Sequence, residues 1–255
     1  MTLSLYPLKQ FPLVSPGDDL PSLILSALRD NDLILQDGDI LVLAQKIVSK
    51  AENRLVNLTT VNPTPEAFQY AELTGKNPRL LTLILSESRK VLRTRKGLII
   101  VEHHLGFVSA NAGIDHSNVS GTWGDPEDWV LLLPENPDQS ADIIRRALEE
   151  SSACQIGVMI IDSHGRAWRL GTVGVAIGIA GLPGLVDLRG VADLFEYHLR
   201  ATQVGAADEL AAAASLVMGQ AGEGKPVVLA RGFPYPLREG HMSELIRPEE
   251  LDLFR

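Results

Sequence analysis

The sequence predicts an α+β fold in which mixed, largely antiparallel sheets pack against helices. Short apolar runs bounded by turn residues predict strands, and longer segments with helical apolar periodicity predict helices. These segments do not alternate regularly enough for a doubly wound parallel sheet, which argues against a Rossmann-type fold. The chain has 255 residues, 45% of them hydrophobic and 22% charged. It can therefore bury a sizeable core, and we expect a single domain over residues 1–255, as one unit or two packed lobes.

Strands are predicted where residues rich in Val, Ile and Leu lie between turn signals: Ile40–Ala44, Gly97–Glu102, Val130–Leu133, Ile156–Ile161 and Val227–Ala230. Helices are predicted from apolar periodicity and terminal signals: Leu20–Arg29, Pro65–Thr74, Asn77–Ser88, Ser140–Ser151 and Gly205–Met218. Gly219 is expected to cap the last helix. The glycine-rich run Gly171–Gly181 lacks the G-x-G-x-x-G spacing of a dinucleotide fold, so tight packing of an alternating strand explains it better.

Three segments are predicted to be functional loops: Ser15–Asp19, Phe107–Thr122 and Met218–Pro226. In the last, two glycines and Lys225 match the spacing of a P-loop, G-x-x-x-x-G-K-[ST]. Position 226 is proline, however, and the order is helix, loop, strand, the reverse of the P-loop context. The loop is therefore not a P-loop, although its glycines let backbone N–H groups approach a nucleotide closely.

Charge and cysteine content narrow the class of protein. The 23 basic and 32 acidic residues give a net charge of −9, which opposes binding to nucleic acid and to anionic membranes. An acidic protein that handles anionic small molecules needs local cations. Cys154 is the only cysteine, so we expect a buried structural thiol in a reducing compartment. Without a signal peptide or an apolar run of ~20 residues, the protein is expected to be cytoplasmic.

The segment Ser109–Val119 is the first candidate for chemistry. A strand-like run leads into a bend of small and polar residues that contains Asp115 and Asn118. The Asp115 carboxylate is a hard oxygen ligand of the kind that Mg²⁺ or Mn²⁺ prefers, and the Asn118 amide could hydrogen-bond a base or a sugar. The alternative is an Asx-turn without a ligand, because these residue types also favour turns.

A second acidic position follows the apolar run Val158–Ile161, which places Asp162 and Ser163 at the predicted end of a strand. Both side chains offer oxygen ligands to a metal. Arg166 and Arg169 follow closely, and their guanidinium groups could bind phosphate oxygens. The alternative is a tight turn capped by the aspartate.

The remaining candidates are weaker. Lys50, after the predicted strand Ile40–Ala44, could approach nucleotide phosphates, although most lysines are simply solvated. The histidines show no H-E-x-x-H spacing, so a zinc hydrolase is disfavoured. No G-x-S-x-G motif indicates a serine hydrolase.

Six stretches in order, between Leu3 and about Arg247, form a pattern more specific than any single motif: FPLVSPGDDL, DGDILVLAQKIVSKAENRLV, SANAGIDHSNV, IIDSHGRAWRLGTVGVAIGIAG, DLRGVADLF and AADELAAAASLVMGQAGEGKPVVLARG. In these stretches the chain resembles the coenzyme F-420-0:L-glutamate ligases, also called coenzyme F-420:gamma-glutamyl ligases. The resemblance implies an unusual mixed fold and a homodimer. The additional reductase-like domain of some relatives is not expected here.

The resemblance also implies roles for individual residues. Asp115 and Asp162 match metal ligands, Ser163 stands where relatives often have Thr, and Gln220 stands at a metal-ligand position where relatives can place Glu. The positions that match nucleotide contacts are Phe11, Pro12, Leu13, Val14, Gln45, Lys46, Lys50, Asn118, Met218, Gly219, Gln220, Ala221, Gly222, Glu223, Gly224 and Lys225. No residue is assigned as the general base.

The activity implied is GTP-dependent addition of L-glutamate to coenzyme F-420-0, a deazaflavin with a lactyl phosphate side chain, with further γ-linked glutamates in some relatives. Mg²⁺ or Mn²⁺ would be the divalent cofactor, with K⁺ assisting. A carboxylate needs activation before it forms an amide in water, so an acyl phosphate intermediate is expected. Two alternatives use the same residues: a metal-dependent phosphohydrolase, and a nucleotide-binding regulator without chemistry.

Overall fold

A computed structural model describes residues 2–121 and 123–253 of the chain. Its strands are β1 (Ser4–Pro7), β2 (Ile40–Ala44), β3 (Leu55–Asn57), β4 (Ser88–Arg95), β5 (Leu98–His103), β6 (Val108–Ala110), β7 (Trp129–Leu131), β8 (Gly157–Arg166), β9 (Arg169–Ala180), β10 (Val186–Asp187), β11 (Gln203–Val204) and β12 (Val227–Arg231). Its α-helices are α1 (Leu20–Asp30), α2 (Gln45–Ala51), α3 (Pro65–Thr74), α4 (Pro78–Ser86), α5 (Pro137–Ser152) and α6 (Ala206–Met218). None of the helices within these described ranges is long and apolar enough to cross a membrane.

The central sheet has five strands in the order β1-β12-β2-β8-β9. Only the neighbours β2 and β8 run parallel, and the other three pairs are antiparallel. A smaller sheet has the order β4-β5-β6, and β3 pairs with β7. Mixed, largely antiparallel sheets packed with helices confirm the predicted α+β class.

The central sheet is buried on both faces because helices cover each of them. In β2, Leu41 and Leu43 belong to the cluster that includes α1 and α5, whereas Ile40 and Val42 belong to the cluster that includes α6. All four side chains are fully buried. A strand covered on both faces has no polar side, which explains the unbroken apolar run ILVLA.

The small sheet packs its inner face against α3 and α4, in a separate cluster that contains Ile99 and Val101 of β5. Aromatic contacts join it to β8: Phe107 stacks on the His103 ring at 5.1 Å and meets His164 at 5.0 Å between ring centroids. Much of the long connection from β2 to β8 thus folds as a layer beside the main sheet, while α5 at its end packs on that sheet. A cleft opens between the two.

Most predicted elements are confirmed, several to within a few residues. Strand β8 is the main correction, since the expected strand end at Ile161 is wrong and the chain stays paired with β9 as far as Arg166. Polar residues continue the strand there because a two-stranded ribbon outside the core needs no apolar face. Part of the expected loop Phe107–Thr122 forms β6, and its last residue lies outside the described ranges. Cys154 is half-buried beside the core rather than fully enclosed.

Glycines in β9 let helices approach both faces of the sheet, as tight packing of Gly171–Gly181 predicted. A Cβ at Gly178 would lie 2.5 Å from atoms of Pro137, at the start of α5. A Cβ at Gly174 would lie 2.6 Å from the Ala211 carbonyl oxygen of α6. A side chain at either position would therefore push a helix off the sheet.

We expect Gly178→Ala to lower the free energy of unfolding by about 1–3 kcal/mol, because the added methyl overpacks the contact with Pro137. Gly165→Ala is the matched control, since a Cβ there meets no atom within 4 Å. Urea unfolding followed by circular dichroism measures both variants. Equal stability of the two would contradict the packing role of Gly178.

Candidate functional site

The cleft is built where strand ends meet at one edge of the central sheet. Ala44 of β2 and Ile161 of β8 form the last pair of the parallel register. The next residues of the two strands, Gln45 and Asp162, therefore lie side by side at the edge of the sheet. Strand β12 is antiparallel to β2 and begins at this edge, with Val227 opposite Leu43. The glycine-rich loop before β12 therefore reaches the same edge. The cavity there has a volume of about 1560 Å³.

All residues that the sequence proposed for metal or nucleotide binding line this one cavity. They are Phe11, Pro12, Leu13, Val14, Gln45, Lys46, Lys50, Asp115, Asn118, Asp162, Ser163, Arg166, Arg169, Met218, Gly219, Gln220, Ala221, Gly222, Glu223, Gly224 and Lys225. The structure thus brings together segments more than two hundred positions apart in the sequence. Their individual chemical roles stay predictions.

Asp115 is held in place by backbone and side-chain contacts. Its backbone pairs with Leu131, after a tight bend with positive φ at Asn111, Ala112 and Gly113. Non-glycine residues rarely adopt this conformation, and such strain is found most often at functional sites. The bend turns the chain from β6 toward the cleft.

A buried side-chain network orients the Asp115 carboxylate. The Gln45 amide nitrogen donates to Asp115 Oδ2 at 2.7 Å, and the Ser49 hydroxyl donates to Gln45 Oε1 at 2.8 Å. Because Ser49 occupies the amide oxygen, the amide nitrogen is the group that faces the carboxylate. Gln45 is 1% exposed, so this amide acts in the structure as a support for Asp115.

Burial raises the pKa of Asp115, and the nearby negative charge of Asp162 raises it further. The Lys46 ammonium, 3.0 Å from Asp115 Oδ2, and the Gln45 hydrogen bond partly oppose this rise. The two carboxylates are therefore close enough to repel each other in a partly dehydrated site. A cation between them would relieve this repulsion.

Asp162 lies within β8, next to the start of α2 in the sheet register. His164 Nε2 lies 3.1 Å from Asp162 Oδ2, although the arrangement is not that of a hydrogen bond. The neighbouring Ser163 hydroxyl donates to Gln220 Oε1 at 2.8 Å, and the Gln220 amide donates to Ser215 of α6. The strand and the glycine-rich loop are thus joined beside Asp162.

Two lysines of α2 face the same space. The Lys46 ammonium donates to the carbonyl and hydroxyl oxygens of Ser117, at 3.0 and 2.9 Å. The Lys50 ammonium donates to the Asn118 carbonyl at 2.8 Å. Burial, and secondarily the charge of Lys46, lower the pKa of Lys50. An anion bound here would offset both effects.

The loop Met218–Lys225 follows the C-terminus of α6, as the sequence predicted, with Gly219 as the cap. A Cβ at Gly219 would overlap the Glu223 side chain, and φ is +80° there. Glu223 accepts a hydrogen bond from the Ala221 backbone at 2.8 Å, while the Ala221 carbonyl accepts one from the Asn118 amide. The loop is therefore fixed to the segment that carries Asp115.

The residues present fit a hard divalent cation. Asp115, Asp162, Ser163 and Gln220 offer only oxygen ligands, which Mg²⁺ and Mn²⁺ prefer. The buried Asn111 Oδ1, also in the cavity wall, has no hydrogen-bond donor. Within the described ranges, no three His, Cys, Asp or Glu side chains gather as a metal cluster. Two carboxylates still suffice for Mg²⁺, which usually completes its shell with water and substrate phosphates.

Sequence reasoning missed two parts of the site. Ser49, completely buried on α2, supports Gln45 from behind the cavity and carried no motif. The wall formed by β4, β5 and β6 includes Leu92, Arg93, Ile100 and Val108. The sequence offered no signal for this wall, because β5 begins with an unbroken apolar run, Leu98–Val101, that does not alternate.

A cavity on which a few charged side chains and backbone loops converge is typical of a small-molecule site. The F420-0:Gamma-glutamyl ligase family matches residues 9–232. The chain is 48% identical to the coenzyme F420:L-glutamate ligase of Methanothermobacter thermautotrophicus over 257 aligned residues, with both chains fully covered. Identity is 43% to the enzyme of that name from Methanopyrus kandleri and 40% to that from Archaeoglobus fulgidus, covering 100% of this chain and 98% and 97% of theirs. The chain therefore belongs to the F420-0:γ-glutamyl ligase family.

We expect Asp115→Asn to stabilise the ligand-free protein at neutral pH, because it removes a buried charge whose pKa is raised. The folded state of the wild type binds the Asp115 proton more tightly than the unfolded state does. The contribution of the Asp115 carboxyl to the free energy of unfolding is therefore present at low pH and is lost as the pH rises through the raised pKa. The difference between variant and wild type should shrink as the pH falls. Urea unfolding across pH 4–8 measures it, with exposed Asp30→Asn as the control; a variant less stable at every pH would contradict the account.

Proposed function

We propose that the protein is a GTP-dependent ligase that joins L-glutamate to the carboxylate of the deazaflavin precursor coenzyme F420-0. One observation carries the proposal: a single cavity combines paired carboxylates, two lysines and a glycine-rich loop, in a chain of the F420-0:γ-glutamyl ligase family. Further γ-linked glutamates would be added by the same chemistry.

The reaction requires activation of the acceptor carboxylate. A carboxylate oxygen of F420-0 attacks the γ-phosphorus of GTP, and GDP leaves with the electrons of the broken P–O bond. The amine of glutamate then attacks the acyl phosphate carbon, and inorganic phosphate leaves as the amide bond forms. The proton lost by the amine passes to phosphate or solvent. Each step joins two anionic reactants, first GTP with F420-0 and then the acyl phosphate with glutamate, so charge neutralisation and positioning are the main tasks of the site.

We propose that Asp115 and Asp162 hold divalent cations, with Ser163 and Gln220 as neutral oxygen ligands. When bound, Mg²⁺ or Mn²⁺ would neutralise the phosphate charge that develops during transfer. Gln45 and Ser49 orient Asp115 for this task through their hydrogen bonds. The repulsion between the two carboxylates, seen in the raised pKa of Asp115, favours cation binding.

The nucleotide phosphates are proposed to lie between α2 and the glycine-rich loop. Lys50 offers a charge there, and Asn118 links the Asp115 segment to the Ala221 carbonyl of the loop. The glycines at 219, 222 and 224 allow the backbone to come close to phosphate oxygens. Phe11–Val14 also line the cavity and supply apolar contacts.

We also propose that the protein is a homodimer. Leu170, at the tip of the β8–β9 ribbon, is 98% exposed, and Leu194 and Phe195 are 96% and 89% exposed. Large apolar side chains exposed in this way are typical of surfaces that a partner covers. A second copy of the chain would remove them from water.

Ligase activity is tested by mass spectrometry of the product. The wild-type protein, given GTP, Mn²⁺, L-glutamate and F420-0, should yield a product larger by one or more glutamyl units. Asp115→Asn and Asp162→Asn should each lower kcat/KM by ~10²-fold or more, since charge neutralisation in the transition state is lost. Asp187→Asn is the control, because that aspartate is paired with Arg189 outside the cavity.

Two results would contradict the proposal. Phosphate release that does not depend on glutamate would indicate a phosphohydrolase. GTP binding without any turnover would indicate a regulator. Full activity in both aspartate variants would refute the metal assignment while leaving the ligase reaction in place.

The dimer is tested by analytical ultracentrifugation at micromolar concentrations. The wild type should sediment as a dimer, and Leu170→Glu should shift it toward the monomer, because a charge would be buried in the interface. Leu216→Glu, at an exposed site on α6, is the comparison variant. A monomeric wild type would refute the proposal.

A further inference from the structure

The small sheet presents apolar side chains on both of its faces. Along β5, Ile99 and Val101 are completely buried in the core formed with α3 and α4. Leu98 and Ile100 alternate with them, point to the opposite side and line the cavity while only half-buried. A sheet face that met only water would carry polar residues at these positions.

The neighbouring strands extend this apolar surface. Leu92 of β4 and Val108 of β6 also line the cavity. Ile100 lies on the central strand, paired with Arg93 on one side and Ala110 on the other. Leu92, Leu98, Ile100 and Val108 are called the apolar platform below.

The platform is continuous with the carboxylate end of the cavity. Strand β6 passes directly into the bend at Asn111–Gly113, which leads to Asp115. A molecule lying on the platform could therefore extend one end toward Asp115. The cavity volume of about 1560 Å³ exceeds the roughly 300–1,000 Å³ of a site for one small ligand. Two substrates can thus occupy separate parts of it.

The charges around the platform suit an anionic ligand. The protein has a net charge of −9, yet β4 carries Arg89, Lys90, Arg93 and Arg95 within eight residues. Of these four, only Arg93 lines the cavity. A guanidinium group there can pair with a phosphate through two parallel hydrogen bonds.

We propose that the apolar platform binds the deazaflavin ring system of the acceptor and that Arg93 binds its phosphate. The inference rests on the proposed function and adds the place of the acceptor. A flat aromatic ring buries its faces against aliphatic side chains. Lys50 and the glycine-rich loop, which the proposed function assigns to the nucleotide phosphates, both contact Asn118 on the far side of Asp115 from β6, so the nucleotide and the acceptor occupy different parts of the cavity.

The test is a direct binding titration, followed by deazaflavin fluorescence, without GTP or glutamate. Two ligands are compared: F420-0, and the same deazaflavin lacking the phosphate and lactyl group. Ile100→Asn should weaken binding of both about tenfold, because the ring loses apolar contact. Arg93→Gln should weaken binding of F420-0 by a similar factor and leave the phosphate-free ligand unchanged.

Matched controls separate these effects from general damage. Arg95→Gln changes an exposed arginine of the same strand outside the cavity, and Ile34→Asn changes an 81% exposed isoleucine, also outside it. Both should bind like the wild type. Far-UV circular dichroism and Mn²⁺ affinity check that each variant is folded. Val108→Asn repeats the ring test if Ile100→Asn fails to fold.

Unchanged affinity for both ligands in Ile100→Asn and Val108→Asn would overturn the inference. Equal loss of both ligands in Arg93→Gln would overturn the phosphate assignment. If the wild type forms glutamyl product while these variants keep its KM for F420-0, the ligase proposal stands and the platform fails. If the wild type binds the deazaflavin but forms no glutamyl product, and the variants lose binding as stated, the ligase proposal fails and the platform stands.

Discussion

Parallel pairing of β2 with β8 is the constraint on which the site depends. These are the only parallel neighbours in the central sheet, and the pairing places Gln45 and Asp162 side by side at one edge. A parallel pair needs a long crossover, and here the crossover is the whole layer that contains the small sheet. That layer returns over the same edge and brings Asp115 against α2. Shifting β2 by one residue would turn its core residues to the other face and move Gln45, which supports Asp115, out of register with Asp162.

The cleft contains charged groups whose charges are only partly balanced. The chain carries a net charge of −9, and two of its carboxylates repel each other across a partly buried cleft. Lys46 contacts Asp115, while the pKa of Lys50 is lowered by burial. The ligand-free site thus contains charges of both signs that are incompletely neutralised. Binding of a divalent cation and an anionic substrate together would satisfy both.

The sequence predicted the fold better than the edges of the site. Strand β2 and helix α3 agree to the residue because burial and strong end signals define them. Helix α2 escaped prediction because it has seven residues and no side-chain cap. The true length of β8 was missed because polar residues after Ile161 resemble a turn, and only pairing with β9 keeps them extended.

The proposed site residues came from a resemblance spread over the chain, and the structure shows them around one cavity. The apolar platform could not be predicted, since apolar residues on both faces of a strand do not reveal which face meets a cavity.

The central claim is that Asp115 and Asp162 share one cation-dependent phosphate site. Anomalous diffraction from crystals grown with Mn²⁺ and GTP tests it most directly. We expect manganese peaks in contact with carboxylate oxygens of both aspartates and beside the nucleotide phosphates, with the Lys46 ammonium moved off Asp115. Manganese bound away from both aspartates, with GTP phosphates outside the cleft between α2 and the glycine-rich loop, would contradict it.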